Sequence, residues 1–263
     1  MKQIQILLSF LVFITSTIFS QKVEERTDLK KYFDEYGHEG CFVLYDLKQD
    51  LYLMYNPERC AERFIPASTF KIFNSLVGLE TGAVKDEFEV FKWDSVKRFY
   101  NSWNQDLDMV NAFKYSAVWF YQEIARKIGE EKMQHYISIN HYGNENISGG
   151  IDRFWLDGGL RISADEQIEM LKKLYHNKLQ FSKRSMDLVK HIMIYYKTDE
   201  YTIRAKTGWA LRVEDQIGWF VGYVEKGEDV YFFAINLQSK KPEEGFVSRK
   251  EITFAILKHL GIL

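Results

Sequence analysis

Hydrophobic residues are arranged in strand-like runs near both ends of the chain and follow helical spacing between them. Two short runs of β-branched and aromatic residues, separated by a polar turn, predict a hairpin with strands at 41–46 and 51–55, which turns at Lys48 to Asp50. From residue 201 onward a period of two predicts three consecutive antiparallel strands. We place these strands at 202–207, 216–224 and 229–237, with turns at 208–215 and 227–228 and a last helix over 247–260.

A buried helix is predicted over 69–81, because apolar residues surround almost its whole axis and Gly82 is placed to end it. One polar stripe interrupts this apolar surface. Ser68, Lys71 and Ser75 fall on it at positions i, i+3 and i+7. A polar stripe on a buried helix indicates a chemical role.

Helical spacing dominates from about residue 84 to 179, for example over 119–128 and 165–174. Strands at both ends of the chain and helices between them favour one α+β domain. We expect an antiparallel sheet flanked by helices, with the helical middle as a second lobe. A ligand would then bind in the cleft between the lobes.

The N-terminus has Lys2 followed by an apolar run over 4–19, interrupted by polar residues. This pattern is typical of a secretory signal peptide over 1–20, with the mature domain at 21–263. The run is short and interrupted for a membrane span, although an uncleaved anchor is the alternative. We therefore expect a secreted, periplasmic protein with no stable membrane anchor after cleavage.

The formal net charge of -2, with acids and bases interspersed, gives no electrostatic footprint for nucleic acid or an anionic membrane. We expect a small-molecule partner and a monomer or homodimer. Six histidines and two cysteines show no metal-ligand spacing, so no metal site is expected. Cys41 and Cys60 could form a disulfide in an oxidising compartment, or they could be two small buried hydrophobes.

Two short motifs point to nucleophilic catalysis. Ser68 and Lys71 form an S-x-x-K at a helix start, where burial would lower the lysine pKa and make it a usable base. Lys206-Thr207-Gly208 ends a predicted strand, on which Gly208 would let a ligand approach the backbone closely. The amides of Ser68 and Trp209 could then stabilise an oxyanion. Each motif alone is a weak signal.

The order and spacing of these motifs, together with the blocks between them, resemble the class D (oxacillinase-type) serine β-lactamases over nearly the whole mature chain. The blocks that carry the resemblance lie at 63–71, 116–118, 142–144, 154–156, 159–163 and 206–208. The resemblance implies an α/β/α sandwich related to penicillin-binding transpeptidases.

The same resemblance implies a role for each matching residue. Ser68 would be the acylated nucleophile, and Lys71, carboxylated on its side-chain nitrogen by carbon dioxide, would be the general base. The others would act as follows: Ser116 as a proton relay to the leaving nitrogen, Val118 as a shield for the lysine, Trp155 as a hydrogen-bond donor to the carbamate, and Lys206, Thr207 and Arg249 as ligands of the substrate carboxylate. No other cofactor is implied.

One of these residues and one of the matching blocks have alternative interpretations. Arg249 could be a surface arginine at a helix start, and Tyr142-Gly143-Asn144 could be a tight structural turn. Ser163 and Glu166 fit a capping box, so Glu166 is not expected to serve as the deacylating glutamate of class A enzymes.

The chain also departs from related patterns. Ala117 and Val118 follow Ser116, whereas class A enzymes have S-D-N at this point. Trp119-Phe120 is bulkier than the class D pattern, and Trp209 is a further variable position, which leaves the substrate range open. The preferred function is hydrolysis of β-lactam antibiotics through an acyl-serine intermediate, conferring resistance. The alternatives are a β-lactam-binding sensor domain and a peptidoglycan D-alanyl peptidase.

Overall fold

A computed structural model of the chain describes residues 22–240, 242 and 246–263. The predicted signal peptide over 1–20 lies outside the described residues. Within these ranges, no helix is both long enough and apolar enough to span a bilayer.

Seven strands in the described residues form a single sheet in the order β1-β3-β2-β7-β6-β5-β4. The strands are β1 (Lys22–Glu25), β2 (Glu39–Asp46), β3 (Leu51–Tyr55), β4 (Ile194–Lys197), β5 (Thr202–Ala210), β6 (Gln216–Lys226) and β7 (Asp229–Ser239). Neighbouring strands are antiparallel except for β1, which pairs in parallel with β3. The predicted antiparallel sheet is therefore confirmed, with one short parallel strand added at its edge.

Helices cover both faces of this sheet. They are α1 (Lys30–Asp34), α2 (Pro57–Ala61), α3 (Lys71–Glu80), α4 (Met109–Lys114), α5 (Val118–Ile128), α6 (Glu130–Asn140), α7 (Ala164–Tyr175), α8 (Lys183–Ile192) and α9 (Ser248–His259). Helices α1 and α9 pack on one face of the sheet and form an apolar core with its strands. Helices α2 and α7 pack on the opposite face. Helices α3 to α6 and α8 extend the second layer into a helical lobe. The α/β/α sandwich with a helical subdomain is confirmed.

The predicted hairpin is formed by β2 and β3. At its turn the Asp46 carboxylate accepts hydrogen bonds from the backbone N–H groups of Lys48 and Gln49 at 2.9 and 3.0 Å. Asp50 follows with a left-handed φ of 49°. Short polar residues satisfy the turn backbone in this way, which fixes the register of the pair.

Cys41 and Cys60 are both buried free thiols, so the disulfide considered from sequence is not formed in the structure. The Cys60 thiol donates a hydrogen bond to the carbonyl oxygen of Tyr55 at 3.6 Å. A hydrogen bond with Cys41 and burial raise the pKa of the Cys60 thiol. In this structure the two cysteines are therefore small buried side chains, as in the second alternative considered from sequence.

Candidate active site

The chain enters α3 through a tight 3₁₀ turn, Ala67–Phe70, that carries Ser68. Ala67 is buried and has a left-handed φ of 48°, a conformation that its surroundings must hold for a residue with a Cβ. Gln167 donates to the buried hydroxyl of Thr69 at 2.9 Å, and the Trp219 indole donates to a backbone carbonyl just before the turn at 2.9 Å. Side chains from α7 and β6 thus fix the turn from two directions.

Lys71 lies one helical turn after Ser68, as the S-x-x-K spacing predicts. Its Nζ is 2.7 Å from the Ser68 hydroxyl oxygen, and its side chain is fully buried. Burial lowers the pKa of Lys71 to about 7. A substantial share of this lysine is therefore an uncharged amine at neutral pH, next to a half-buried serine.

Ser75, the third member of the polar stripe, has a structural role. The Ser75 hydroxyl donates to the backbone carbonyl of Lys71 at 2.8 Å and lies 3.0 Å from the Tyr121 hydroxyl. The Lys71 Nζ in turn lies 5.3 Å from the centre of the Tyr121 ring. Tyr121 therefore forms part of the wall around the lysine, a role that no motif in the sequence indicated.

Strand β5 places the K-T-G motif directly against the active-site turn. A Cβ on Gly208 would lie 3.0 Å from the Pro66 carbonyl oxygen and 3.1 Å from a methyl group of Thr69. From sequence we expected a glycine here so that a ligand could approach the backbone. The structure gives a different reason for the glycine: the turn that carries Ser68 fills the space that a side chain would need.

Lys206 is almost completely buried on this strand, and its Nζ donates to the Thr207 carbonyl oxygen at 3.1 Å. Burial, and then the charges of Lys71 and Arg249, lower the pKa of Lys206. Lys71 and Arg249 thus lie close enough to Lys206 to disfavour its charge. A region with three basic side chains is suited to bind an anion.

Arg249 lies in the first turn of α9 and is buried, so its interpretation as a surface arginine is wrong. Its guanidinium donates to the Phe246 carbonyl oxygen. The Trp209 side chain lies on the same side of the sheet, where its indole donates to Gln216 at 2.7 Å and its ring packs with the α9 core. Only the backbone of Trp209 can therefore take the oxyanion role considered for it.

Ser116 occupies the turn between α4 and α5 and has a left-handed φ of 57°. Its backbone N–H donates to the Phe113 carbonyl oxygen at 3.1 Å, and the Lys206 Nζ lies 5.4 Å from the Phe113 ring centre. The turn therefore borders the Lys206 side of the cleft. Val118, half-buried, begins α5 directly after this turn.

Trp155 is fully buried and stacks on Phe70, the residue before Lys71, with 5.4 Å between ring centres. Its indole nitrogen is a buried donor with no acceptor among the described residues. A buried N–H without a partner is costly, so it indicates that an acceptor is supplied by something beyond these side chains.

The Tyr142-Gly143-Asn144 segment is a structural turn. Gly143 has a φ of 57°, and a Cβ there would collide with the Arg161 carbonyl oxygen. The Asn144 side-chain oxygen accepts from the Arg161 backbone N–H at 2.8 Å, and its amide donates to the Gly159 carbonyl oxygen at 2.9 Å. These contacts of Gly143 and Asn144 support the alternative considered from sequence.

Glu166 is committed to the start of α7. It forms a capping box with Ser163 and a 2.5 Å ion pair with Arg63. Its carboxylate is therefore engaged in holding a helix end. Among the described residues no group of three or more His, Cys, Asp or Glu side chains is arranged to hold a metal ion.

A serine beside a buried lysine, set between an antiparallel sheet and a helical lobe, defines the class of penicillin-binding serine acyl-transfer enzymes. Residues 40–258 match the penicillin binding protein transpeptidase domain. The chain is 44% identical to the β-lactamase OXA-48 of Klebsiella pneumoniae over 257 residues, which are 96% of this chain and 97% of the relative. It is 43% identical over 225 residues to a probable β-lactamase, YbxI, of Bacillus subtilis, covering 86% of this chain and 82% of that protein.

Solved structures give the same result. A class D β-lactamase from Nostoc superimposes with a TM-score of 0.87 at 46% identity, covering 89% of this chain and 99% of that one. A class D β-lactamase from Fusobacterium nucleatum gives 0.88 at 41% identity, with 91% and 100% covered. The chain belongs to the class D serine β-lactamases.

Proposed function

We propose that this protein hydrolyses β-lactam antibiotics through an acyl-enzyme on Ser68, with Lys71 carboxylated on Nζ as the general base, and so confers resistance. The observation that carries the proposal is the fully buried Lys71 within 2.7 Å of the Ser68 hydroxyl, with a pKa lowered to about 7. The relatives named above are β-lactamases, which supports the substrate class.

Acylation forms one carbon–oxygen bond, breaks one carbon–nitrogen bond and moves one proton. The Ser68 oxygen adds to the lactam carbonyl carbon and loses its proton to the base at Lys71, and the carbon–nitrogen bond of the ring then opens. Ser116, at the border of the cleft, gives its proton to the nitrogen that leaves and takes one back from the base at Lys71. Because the ring opens without releasing a fragment, the acyl-enzyme retains every atom of the substrate.

The developing negative charge on the lactam oxygen needs donors in a water-poor site. The backbone N–H of Ser68 lies in a tight turn at the start of α3, and that of Trp209 lies on β5 beside this turn. These two amides form the proposed oxyanion hole. The close packing of Gly208 on the turn keeps the two elements in register.

The surroundings of Lys71 fit a carboxylated side chain. Burial favours the neutral amine, the form that reacts with carbon dioxide, and Trp155 presents a buried N–H that has no acceptor among the residues the structure describes. When bound, the carboxyl group supplies an anionic oxygen that can accept a proton from Ser68 and, in deacylation, from water. Glu166 is not available for this second step, since its carboxylate caps a helix.

The proposed substrate carries a carboxylate, which the buried cations are suited to hold. Lys206, Thr207 and Arg249 would bind it by charge-assisted hydrogen bonds. Burial, and then repulsion from Lys71 and Arg249, lowers the Lys206 pKa, and a bound carboxylate would relieve that repulsion. Substrate charge thus provides binding free energy and orientation in the same step.

Intact-mass measurement after mixing with benzylpenicillin tests the proposal. We expect an adduct of the full penicillin mass on Ser68 that appears and then decays as product accumulates, and no adduct on Ser68→Ala. An adduct that persists without turnover would instead assign a sensor role. Absence of both adduct and turnover would overturn the acyl-serine mechanism.

We further propose that the protein is exported to the periplasm after removal of residues 1–20. The apolar run over 4–19 supports this assignment. N-terminal sequencing of the protein from a periplasmic fraction should begin near Gln21, whereas a membrane-bound product that retains Met1 would contradict it.

A further inference from the structure

An irregular loop over 92–106 borders the Ser116 turn. Its two ends are joined by a pair of backbone hydrogen bonds between Phe91 and Leu107, at 2.8 and 3.1 Å. Its tip carries Phe99, which is 89% exposed, and Tyr100. A loop closed at its base and exposed at its tip needs contacts along its length to hold one conformation.

Two indole rings supply these contacts in series. The Trp119 Nε1–H donates to the carbonyl oxygen of Trp103 in the loop at 2.8 Å. The Trp103 Nε1–H then donates to the carbonyl oxygen of Tyr115 at 2.9 Å. The start of α5, the loop and the residue before Ser116 are thus joined by two consecutive hydrogen bonds.

The Trp119 ring also contacts a charged side chain of the loop. The Arg98 guanidinium lies 5.6 Å from its ring centre and is itself paired with Asp94 at 2.6 Å. Asn104 bonds the Arg98 backbone on both its N–H and its carbonyl, at 2.7 and 3.0 Å. Trp119, which is buried, therefore contacts both limbs of the loop.

The residue at the end of this series is held in an unfavourable conformation. Ser116 adopts a left-handed φ of 57°, which residues with a Cβ keep only where neighbouring contacts impose it. The Tyr115 carbonyl, bonded by Trp103, belongs to the peptide bond that leads into Ser116. Any rotation of that peptide would break the hydrogen bond and redirect the Ser116 hydroxyl.

We propose that Trp119 is a positioning residue that acts through Trp103 to hold Ser116 in the geometry required for proton transfer to the leaving nitrogen. This inference rests on the proposed function, because it assigns Ser116 the relay role. It gives the bulky residue after the S-x-V element a chemical purpose. It also predicts that losing the indole N–H affects the rate of ring opening more than substrate binding.

The test compares Trp119→Phe, which keeps an aromatic ring and removes the donor, with Trp93→Phe as a matched control. The Trp93 indole donates to Val96 at 3.1 Å inside the exposed part of the same loop and does not reach the Ser116 turn. Acylation rates are measured by stopped flow with two substrates. Benzylpenicillin expels a basic nitrogen, whereas nitrocefin expels one whose charge is delocalised and which needs less protonation.

For Trp119→Phe we expect the acylation rate with benzylpenicillin to fall about tenfold or more. The acylation rate with nitrocefin should fall less than about threefold, and KM should be nearly unchanged. Trp93→Phe should leave both rates near those of the wild-type protein. Equal losses for both substrates, or no loss for either, would overturn the inference. If the wild-type protein forms no acyl-enzyme at all, the proposed function itself fails, which is a distinguishable outcome.

A double-mutant cycle guards against misfolding of one variant. Trp103→Phe removes the second link, and the double variant should be no slower than the slower single variant, because both links act on one serine. In the wild-type protein, the indole N–H of Trp103 should exchange with solvent at least tenfold more slowly than that of Trp93 by NMR. Additive losses in the cycle, or equal exchange of the two indoles, would contradict a connected pair.

Discussion

The unpaired indole N–H of Trp155 gives the sharpest test of the carboxylated lysine. Trp155→Phe removes the buried donor and keeps an aromatic ring against Phe70, with which Trp155 now stacks at 5.4 Å. If the indole stabilises the carboxyl group on Lys71, the variant should retain carbon dioxide less well. Packing is changed much less than by truncation to alanine.

The size of the effect follows from the loss of one charge-assisted hydrogen bond. Such a bond contributes about 1.5–3 kcal/mol. Since about 1.4 kcal/mol corresponds to a factor of ten, the bicarbonate concentration that restores half of the activity should rise about 10- to 150-fold. At saturating bicarbonate the variant should recover most of the wild-type rate.

The assay starts from protein degassed at mildly acidic pH and returned to a fixed neutral pH. Penicillin hydrolysis is then measured against added ¹³C-bicarbonate, and carbon NMR follows the carbamate signal in the same samples. Trp93→Phe is the matched control, because its indole bonds a carbonyl in an exposed loop. Equal bicarbonate dependence in Trp155→Phe and the wild-type protein would refute the role of the indole. Full activity without a carbamate signal would refute the modification.

Four further outcomes are expected. Ser68→Ala should abolish turnover and change the free energy of unfolding by at most about 1 kcal/mol, measured by hydrolysis and by thermal melting. Arg249→Ala should raise KM for penicillins more than it lowers kcat in steady-state kinetics, because the arginine mainly binds the substrate carboxylate; unchanged kinetics would remove it from the site. Lys71→Met should be inactive but more stable at neutral pH in urea unfolding without carbon dioxide. In the folded wild-type protein the pKa of Lys71 is lowered from 10.5 to about 7, so the unfolded chain binds more protons than the folded one between these pH values. The wild-type free energy of unfolding should therefore rise across that window, by up to about 1.4 kcal/mol per pH unit, and the variant should lack the rise. Gly143→Ala, which meets a backbone carbonyl at positive φ, should cost about 3 kcal/mol or more, whereas Gly82→Ala, with open space at a similar φ, should cost about 1 kcal/mol; equal melting temperatures would contradict the steric argument.

Five strands could be predicted because β-branched and aromatic residues fill them and polar turns bound them. Burial alternates along β3, whereas β2, β6 and β7 are buried on both faces, and these four strands and β5 lie where the sequence places them. Strands β1 and β4 were missed, because each has only four residues, all of them exposed. Edge strands this short leave a weak signal in the sequence.

The site shows the same division between local and long-range information. The contact of Ser68 with Lys71 depends on helical spacing alone, so the sequence was sufficient to predict it. The burial of Arg249 depends on how α9 packs against the sheet, and for this reason its surface interpretation could not be excluded beforehand. The indole pair of Trp103 and Trp119 joins an irregular loop to a helix start, and no periodicity reports such a contact.

Three buried basic side chains make the site suited to both proposed anions, the carboxylated lysine and the substrate carboxylate. Burial lowers the pKa of Lys71 and of Lys206, and the nearby charges of Lys71 and Arg249 lower that of Lys206 further. The site can relieve the repulsion by releasing a proton or by taking up an anion. Release of a proton from Lys71 gives the amine that carbon dioxide requires, and the proposed carboxylation would then place a negative charge among the remaining cations. The substrate carboxylate would do the same at Lys206 and Arg249, so each anion would lower the cost of burying the cations that bind it.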